Sequence, residues 1–387
     1  MPVAPRALAH LVDRIRRFKQ VKTSYFRLFA LPIVSAAALA FAWSSALAAE
    51  TECEPAGEYD FVCGPRSAED LVRIPGTEWI IASGMIADAP IYLVDTRNKA
   101  WSELYPGEAP RAEQDMETYG ACPGAPPPGT LISHGLNIRA HADGGVTLYV
   151  VGHGGRESVE VFDVDTSGAA PVLTWQGCVL TPGGMAANSV ASLADGTLLA
   201  TIPLYHGVPI SAAMAGYNTG AVYRWSPGEA GFTRVEGTEL PYGNGIEVSA
   251  DGTEFYIASS GAQRVLAYSN TNPARLLRGS KQLDFVPDNL RLADDGRLLT
   301  AGMDVVDPVC GDVKLSSEFS LEEFAACPRP FTVWSVDPQS MEGRALVTSA
   351  AIEDFSNITI GITVDDEVWI GTFLGDRIAY RSLAETE

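Results

Sequence analysis

Residues 244–268 read NGIEVSADGTEFYIASSGAQRVLAY. A polar start is followed by an alternating apolar segment, a tight turn at Asp251-Gly252, an apolar strand and, after a second turn, a strand that ends in an aromatic residue. Short alternating segments joined by Asp-Gly pairs are typical of antiparallel β-hairpins. The stretch therefore predicts one small antiparallel β unit.

The same unit occurs six times along the chain, beginning at residues 69, 134, 188, 244, 288 and 358. From Glu69 to Thr359, the second residue of the sixth unit, the chain runs 290 residues in five steps, a mean of 58 residues per unit. A repeat of this length suits a four-stranded propeller blade. The sequence therefore predicts an all-β domain over residues 49–387, a six-bladed β-propeller. The strands that end the units, expected on the outer side of the blades, are residues 91–95, 159–163, 221–225, 264–268, 331–335 and 377–380.

Most of the six units begin with a polar residue. Radial repetition brings equivalent positions together, so the residues that begin the inner strands are expected to meet on the central axis. These residues are Glu69, His134, Asn188, Asn244, Asp288 and Asn289. Ca²⁺ takes carboxylate and amide oxygens, whereas Zn²⁺ prefers thiolate and imidazole ligands. The sequence therefore predicts a central calcium site, and the alternative is that these side chains only cap turns.

Two histidines bracket a predicted hairpin of the second unit. His134 opens the inner strand, and His153 lies 19 residues later, where the next strand ends. Antiparallel pairing would return His153 beside His134 at the mouth of the channel. In such an arrangement one imidazole can act as a general base on water, the other can orient it, and the cation can polarise a carbonyl. These are the parts of a hydrolase. The alternative is a pair of histidines hydrogen-bonded in turns, and His141 and His206 are expected to be such loop residues.

The first 48 residues differ in kind from the rest of the chain. Basic residues precede an apolar stretch from Leu28 to Trp43, and Ala46-Leu47-Ala48 follows as a small-residue cleavage site. These features predict an export signal over residues 1–48 and a secreted or periplasmic protein. The apolar stretch has 16 residues, whereas a spanning helix needs about 20, so cleavage is expected and an uncleaved anchor is the alternative.

The strongly acidic composition of the chain limits the kinds of partner that it can bind. It has 27 basic and 48 acidic residues, and loss of residues 1–48 leaves 20 and 47, a formal net charge of −27. Such a balance opposes binding to nucleic acid and to anionic membranes. A small molecule is therefore the expected partner, and the oligomeric state is not determined by the sequence.

All six cysteines lie after the predicted signal, and an even number is typical of an oxidising compartment. Six cysteines allow 15 pairings. Short separations favour two local disulfides, which would leave one further pair. The expected disulfides are Cys53–Cys63, Cys310–Cys327 and Cys122–Cys178.

A set of short blocks carries a family resemblance that runs from about residue 53 to residue 383. The blocks are residues 67–71, 134–136, 151–153 with 158–162, 244–246 with 249–252, 283–285 with 288–289, and 370–373. Together they resemble the paraoxonase/arylesterase family, six-bladed calcium-dependent lactonases and esterases related to the SMP-30/gluconolactonase and strictosidine synthase-like propellers.

The resemblance implies roles for individual residues. The residues that it assigns to the catalytic calcium are Glu69, Asn188, Asn244, Asp288 and Asn289. It assigns a catalytic histidine dyad to His134 and His153 and an aromatic pocket wall to Tyr242. It also implies a second, structural calcium held by Asp70, by the backbone carbonyl of Leu136 and by an acidic residue where this chain has Ser189, so that this second site lacks a carboxylate.

Two further departures from the family concern cysteines. The family closes its ring with a disulfide to a cysteine near the C-terminus, which residues 380–383 lack. Between Gly302 and Phe331 a long insertion carries Cys310 and Cys327 and is expected to reshape the pocket together with the loop at 203–220.

The sequence therefore favours an exported calcium-dependent hydrolase of lactones or aryl esters, a carboxylic ester hydrolase in which a histidine base activates water. A sugar-lactone hydrolase of the gluconolactonase type is one alternative, and a non-catalytic calcium-stabilised binding propeller is another. The pair of His134 and His153 favours the first interpretation, because sugar lactonases rely more on carboxylates. The expected substrate is a small lactone or ester.

Overall fold

The computed structural model describes residues 53–313 and 315–383. This part of the chain forms six β-sheets, and the first strands of most neighbouring sheets contact each other around a common axis. The protein is therefore a six-bladed β-propeller, which confirms the predicted all-β class. The predicted export signal, residues 1–48, lies outside the described residues. No helix in the described part is long and apolar enough to cross a membrane.

Blades 1 to 3 are formed by the first half of the propeller, and their strands are given from the channel outward. Blade 1 contains β2 (Leu71–Arg73), β3 (Trp79–Ala82), β4 (Ile91–Asp95) and β5 (Ala100–Tyr105). Blade 2 contains β7 (Leu131–Ala140), β8 (Val146–Gly154), β9 (Ser158–Asp165), β10 (Val172–Leu180) and the short parallel β6 (Arg111–Ala112). Blade 3 contains β11 (Val190–Ser192), β12 (Leu198–Ile202), β13 (Ala221–Trp225) and β14 (Thr233–Arg234).

Blades 4 to 6 complete the ring. Blade 4 contains β15 (Gly243–Val248), β16 (Glu254–Ser259), β17 (Arg264–Ser269) and β18 (Leu276–Gly279). Blade 5 contains β19 (Leu290–Leu292), β20 (Leu298–Met303), β21 (Phe331–Val336) and β22 (Gly343–Ser349). Blade 6 contains β23 (Ile358–Val364), β24 (Glu367–Thr372), β25 (Arg377–Ser382) and β1 (Asp60–Cys63).

The two ends of the domain meet in blade 6. Strand β1 pairs antiparallel with β25, so the first strand of the chain is the outermost strand of the last blade. Three disulfides are present, in the expected pairs Cys53–Cys63, Cys122–Cys178 and Cys310–Cys327. The first of them ties the segment before β1 to its last residue. Strand pairing between β1 and β25 therefore closes the ring of blades.

The strands expected on the outer side are the third strand from the channel in every blade. A further strand lies outside each of them, and in blades 1, 3, 4 and 5 most of its residues are exposed or half-buried. A strand that is exposed on both faces buries no apolar side, so its sequence needs no alternation of apolar and polar residues. The repeat in the sequence therefore reveals the first three strands of each blade but not the outermost one.

Hydrophobic clusters fill the spaces between blades. Ile81 and Leu93 of blade 1, for example, share a cluster with Leu148 and Phe162 of blade 2, and the other blade interfaces have clusters of the same kind. Full burial of each such side chain stabilises the fold by roughly 1.5–3 kcal/mol. Because the apolar core lies between the blades, the central channel is free to carry polar side chains.

Two short α-helices of the described residues lie outside the blades. Helix α1 (Ile210–Met214) belongs to the loop between β12 and β13, and helix α2 (Leu321–Ala326) belongs to the insertion between β20 and β21. Ser320 caps α2 by accepting a hydrogen bond from the backbone N–H of Glu323. Both helices come from the loops expected to form pocket walls.

Candidate metal centre and histidine pair

The five residues assigned to a catalytic calcium begin inner strands of four blades. Glu69 and Asn188 lie two residues before β2 and β11, Asn244 is the second residue of β15, and Asp288 and Asn289 directly precede β19. Glu69, Asn188, Asn244 and Asn289 are each no more than 5% exposed, and Asp288 is half-buried. The repeat thus places all five side chains at the starts of the strands that line the channel.

Glycines let these strand starts approach one another closely. The Gly135 N–H donates to the Asn188 carbonyl at 3.2 Å, and the Gly245 N–H donates to the Asp288 carbonyl at 3.0 Å. A Cβ atom on Gly135 would lie 2.3 Å from the Asn188 oxygen, and one on Gly245 would lie 2.3 Å from the Leu290 nitrogen. The glycine after His134 and after Asn244 is therefore required by the backbone of the next blade.

Side chains of the ring also contact one another. The Asn289 amide donates to Glu69 Oε1 at 2.7 Å and to the Glu69 carbonyl at 3.2 Å. The Asn244 amide donates to Ser260 Oγ at 3.2 Å, and its side chain also bonds to Asp288. Since a carboxylate only accepts hydrogen bonds, the contact with Glu69 fixes which end of the Asn289 amide carries the nitrogen.

Four buried oxygen atoms of this ring have no hydrogen-bond partner among the described residues. They are Glu69 Oε2, Asn188 Oδ1, Asn244 Oδ1 and Asn289 Oδ1. A buried polar atom that lacks a partner costs about 1–3 kcal/mol, and more when it carries charge. A cation coordinated by oxygen atoms would satisfy all four atoms at once. The residues present therefore fit a bound cation.

The electrostatics of the ring also favour a cation. Burial, reinforced by the Glu69 carboxylate, raises the pKa of Asp288 well above its ordinary value, although a hydrogen bond from Asn244 opposes the rise. Two acidic groups in one buried place repel each other when both are ionised. A bound cation would remove that repulsion.

The chemical type of the donors distinguishes between metals. Within the described residues, no three histidine, cysteine, aspartate or glutamate side chains are grouped as a metal site. The ring instead combines the carboxylates of Glu69 and Asp288 with the amides of three asparagines. A donor set of carboxylate and amide oxygens suits Ca²⁺, which takes six to eight oxygen ligands, better than it suits Zn²⁺.

The residues assigned to a second calcium lie next to the ring. The Asp70 carboxylate is fully buried and accepts hydrogen bonds from the backbone N–H groups of Leu71 at 2.8 Å and Leu136 at 2.7 Å. Burial raises the pKa of Asp70 to about 7, and the Arg291 guanidinium, which donates to the same carboxylate, opposes that rise. Ser189 is buried and its Oγ has no partner among the described residues.

The histidine pair forms as the sequence predicts, at a β-bulge of blade 2. Strands β7 and β8 are antiparallel, and their register shifts between Ser133 and Leu136, the segment that contains His134. Such bulges re-aim side chains. His134 Nδ1 lies 2.9 Å from His153 Nε2, and His134 Nε2 lies 3.7 Å from Glu69 Oε1. The pair therefore reaches from the rim of the channel to the oxygen ring.

A carboxylate that the sequence analysis missed completes this line. His153 Nδ1 lies 2.5 Å from Glu157 Oε2, and the Glu157 side chain is 26% exposed. The spacing of four residues after His153 was visible in the sequence, but only the turn after β8 brings the two side chains together. Burial, the largest single effect, lowers the pKa of His134, but the carboxylates of Glu69, Asp70 and Glu157 together raise it by more, so the net shift is upward.

The other two histidines of the described residues, His141 and His206, lie apart from this line. His141 Nε2 lies 2.8 Å from Thr147 Oγ1 in the turn after β7, and the exposed His206 Nε2 lies 3.1 Å from the Gly183 carbonyl. Both are loop residues, as expected from the sequence.

Apolar side chains form one wall near the ring. Tyr242 contacts a cluster made by Met214 of α1, Met303 of β20, and Phe319 and Phe324 of the insertion. Burial raises the pKa of Tyr242, and the charges of Asp288 and Glu69 contribute to the rise. The two loops expected to shape the pocket thus do contribute side chains beside the predicted wall residue.

A separate cavity borders the outer histidine. It has a volume of about 280 Å³ and is lined by His153, Arg156, Leu131 and a group of prolines that includes Pro126 and Pro127. Arg156 is held in its wall by a salt bridge to the buried Glu160 at 2.7 Å. The histidine line therefore has a largely apolar space on its outer side.

Comparison with known proteins gives fold likeness only. No family model and no curated protein matches the chain. Among solved structures, a gluconolactonase from Xanthomonas campestris aligns with a TM-score of 0.48 and 14% identity over 84% of this chain and 89% of that one. A luciferin-regenerating enzyme aligns with a TM-score of 0.48 and 12% identity over 83% and 92% of the chains. Regucalcin, a calcium-binding protein from Agrobacterium tumefaciens, aligns with a TM-score of 0.47 and 10% identity over 83% and 91%.

Proposed function

We propose that this protein is an exported calcium-dependent hydrolase of lactones or aryl esters, of the kind found in the paraoxonase/arylesterase family. One observation carries the proposal: a ring of buried oxygen atoms, which have no hydrogen-bond partner in the described part of the chain, lies beside a hydrogen-bonded line of two histidines and a glutamate. The ring suits a calcium ion, and the line suits a general base directed at the same place.

The calcium would be held by Glu69, Asp288 and the amide oxygens of Asn188, Asn244 and Asn289. When bound, calcium supplies a Lewis acid that polarises the substrate carbonyl and stabilises the oxyanion formed as water adds. The channel also keeps the Glu69 carboxylate away from bulk water, which strengthens its attraction for a cation.

The histidine line determines which nitrogen acts as the base. Glu157 accepts a hydrogen bond from the Nδ1–H of His153, which leaves His153 Nε2 as an acceptor for the Nδ1–H of His134. His134 Nε2, the nitrogen nearer Glu69, then carries a free lone pair. This chain of hydrogen bonds holds His134 in the tautomer that a general base requires.

The reaction follows from this arrangement. His134 Nε2 takes a proton from water while the water oxygen bonds to the acyl carbon. The acyl C–O bond then breaks, and the proton on His134 passes to the leaving oxygen, which gives a hydroxy acid from a lactone or an acid and a phenol from an aryl ester. His153 and Glu157 position His134 and stabilise its imidazolium form.

The apolar wall supports this substrate class over a sugar lactone. Tyr242, Met214, Met303 and the two phenylalanines of the insertion offer little hydrogen bonding to a polyhydroxylated ring. An aryl or alkyl group would bury apolar surface against the same side chains. The gluconolactonase alternative predicts the opposite preference.

Hydrolysis assays with the purified protein test the proposal. The panel contains small and alkyl-substituted lactones, gluconolactone and phenyl acetate, each measured before chelation, after chelation and after Ca²⁺ is restored. We expect turnover of alkyl lactones or phenyl acetate that disappears with chelator and returns with Ca²⁺. His134→Gln should abolish most turnover, and His141→Gln, at a histidine outside the line, serves as the matched control.

Two outcomes would reject this function. Preference for gluconolactone would favour the sugar-lactonase alternative. Absence of turnover on the whole panel, together with a melting temperature that rises with Ca²⁺, would favour the non-catalytic binding propeller.

A further inference from the structure

A buried arginine lies beside the proposed metal ring on the inner strand of blade 5. Arg291 of β19 is 6% exposed. Its guanidinium donates to the Leu136 carbonyl at 2.6 Å, to the Leu71 carbonyl at 3.3 Å and to the Asp70 carboxylate. These acceptors belong to blades 1 and 2, so one side chain connects the inner strands of three blades.

The same two oxygen groups are those assigned by family resemblance to a second calcium. The Asp70 carboxylate and the Leu136 carbonyl both accept from Arg291 Nη2. The third ligand position is Ser189, which brings no charge. An ion at that place would need these oxygens at about 2.3–2.6 Å, where they already accept N–H groups, and it would face a guanidinium of like charge.

Other contacts show that the polar groups around Arg291 have hydrogen-bond or charge partners. The Asp70 oxygens also accept the backbone N–H groups of Leu71 and Leu136. Arg291 Nη1 donates to the Leu290 carbonyl at 2.6 Å. Glu247, a buried neighbour, has its pKa raised by burial, and the charge of Arg291 opposes that rise. The guanidinium thus supplies positive charge and donors to a place that a metal ion would otherwise occupy.

We infer that Arg291 is a built-in cation that replaces the second calcium, and that this protein binds a single calcium ion per chain. This inference rests on the proposed function in one respect, the identity of the ion in the ring as calcium. The fixed side chain links blades 1, 2 and 5 whether or not calcium is present. Chelation should therefore empty the ring without releasing the Asp70 contacts.

Calcium stoichiometry of the purified, metal-free protein tests the inference directly. Titration calorimetry and equilibrium dialysis should both give one ion per chain. Two ions per chain would overturn the inference. No bound ion would refute the proposed calcium ring but would support Arg291 as the only cation here, so the two failures are distinguishable.

Variants of the arginine provide a second test. Arg291→Met leaves Asp70 buried without its charged partner, and removal of one partner from a buried pair is expected to lower the melting temperature by about 5–10 °C. Arg73→Met is the matched control, because Arg73 lines one cavity together with Arg291 but pairs with the exposed Asp294 and Asp365. Equal melting temperatures for Arg291→Met and the wild type would overturn the role of a fixed cation.

A double variant asks whether a guanidinium and a metal ion are interchangeable at this place. Arg291→Met combined with Ser189→Asp restores the missing carboxylate and removes the competing charge. We expect this variant to bind a second calcium and to regain thermal stability at millimolar Ca²⁺. A melting temperature that does not respond to the additional calcium would overturn that interchange.

Discussion

Replacement of Glu157 by glutamine perturbs the histidine line at the end farthest from the metal ring. The Glu157 carboxylate accepts from His153 Nδ1, and His153 Nε2 in turn faces His134 Nδ1. A glutamine amide can present N–H groups to His153, which would reverse the hydrogen bonds along the line. His134 would then spend part of its time with a proton on the nitrogen that should act as the base.

The expected magnitude follows from the position of Glu157. A buried carboxylate that fixes a catalytic tautomer contributes up to about 10⁴ in kcat, whereas carboxylates that orient a histidine from outside contribute roughly 10–100-fold. Glu157 is 26% exposed, so its charge is partly screened by water. We therefore expect kcat to fall by about 10–100-fold, which corresponds to about 1.4–2.7 kcal/mol in activation free energy.

Steady-state kinetics on the best lactone or ester substrate measures this effect. KM and calcium affinity should change little, because Glu157 contacts neither the apolar wall nor the ring. The acid limb of kcat/KM should move to lower pH, since Glu157 is one of the acidic groups that raise the pKa of His134. Glu117→Gln, at an exposed loop glutamate, should behave as the wild type. Unchanged kcat and pH profile in Glu157→Gln, or a loss explained wholly by weaker calcium binding, would refute the reasoning.

Three further variants test the ring and the scaffold. Asn289→Ala should weaken calcium binding by at least about tenfold, measured by calorimetry, because it removes one ligand and the donor to Glu69 Oε1; unchanged affinity would exclude Asn289 from the ring. Gly245→Ala should lower the denaturant midpoint and calcium affinity together, because its Cβ would meet the next blade at 2.3 Å; a variant with wild-type values would show that the close approach is not needed. Removal of the disulfide between Cys122 and Cys178 should reduce the free energy of unfolding by about 4 kcal/mol for a separation of 56 residues, with calcium binding retained in the folded protein; a loss well below 1 kcal/mol would contradict the loop-entropy estimate.

The ring residues could be predicted because two simple regularities coincide. Each inner strand of the repeat begins at the same place in its unit, and radial symmetry brings those places together. Asn188 and Asn244 were therefore identified from sequence position alone. The pair of His134 and His153 could be predicted for a similar reason, since both lie on one hairpin and need only antiparallel pairing to meet.

Other features depend on contacts that no local pattern encodes. Arg291 reaches residues 155 and 221 positions away, Leu136 and Asp70, so its role emerges only when the blades are assembled. The outermost strands of blades 1, 3, 4 and 5 are largely exposed, so no buried face marks them in the sequence. The shape of the insertion between β20 and β21 follows from packing of Phe319 and Phe324 against the loops of other blades.

A joint titration of calcium into the metal-free protein tests the central claim most directly, with heat of binding and substrate turnover recorded in parallel. The account predicts that turnover rises with the same midpoint as binding and reaches its maximum at one ion per chain. Turnover that is already complete without calcium, or binding that saturates while every substrate remains unhydrolysed, would contradict it.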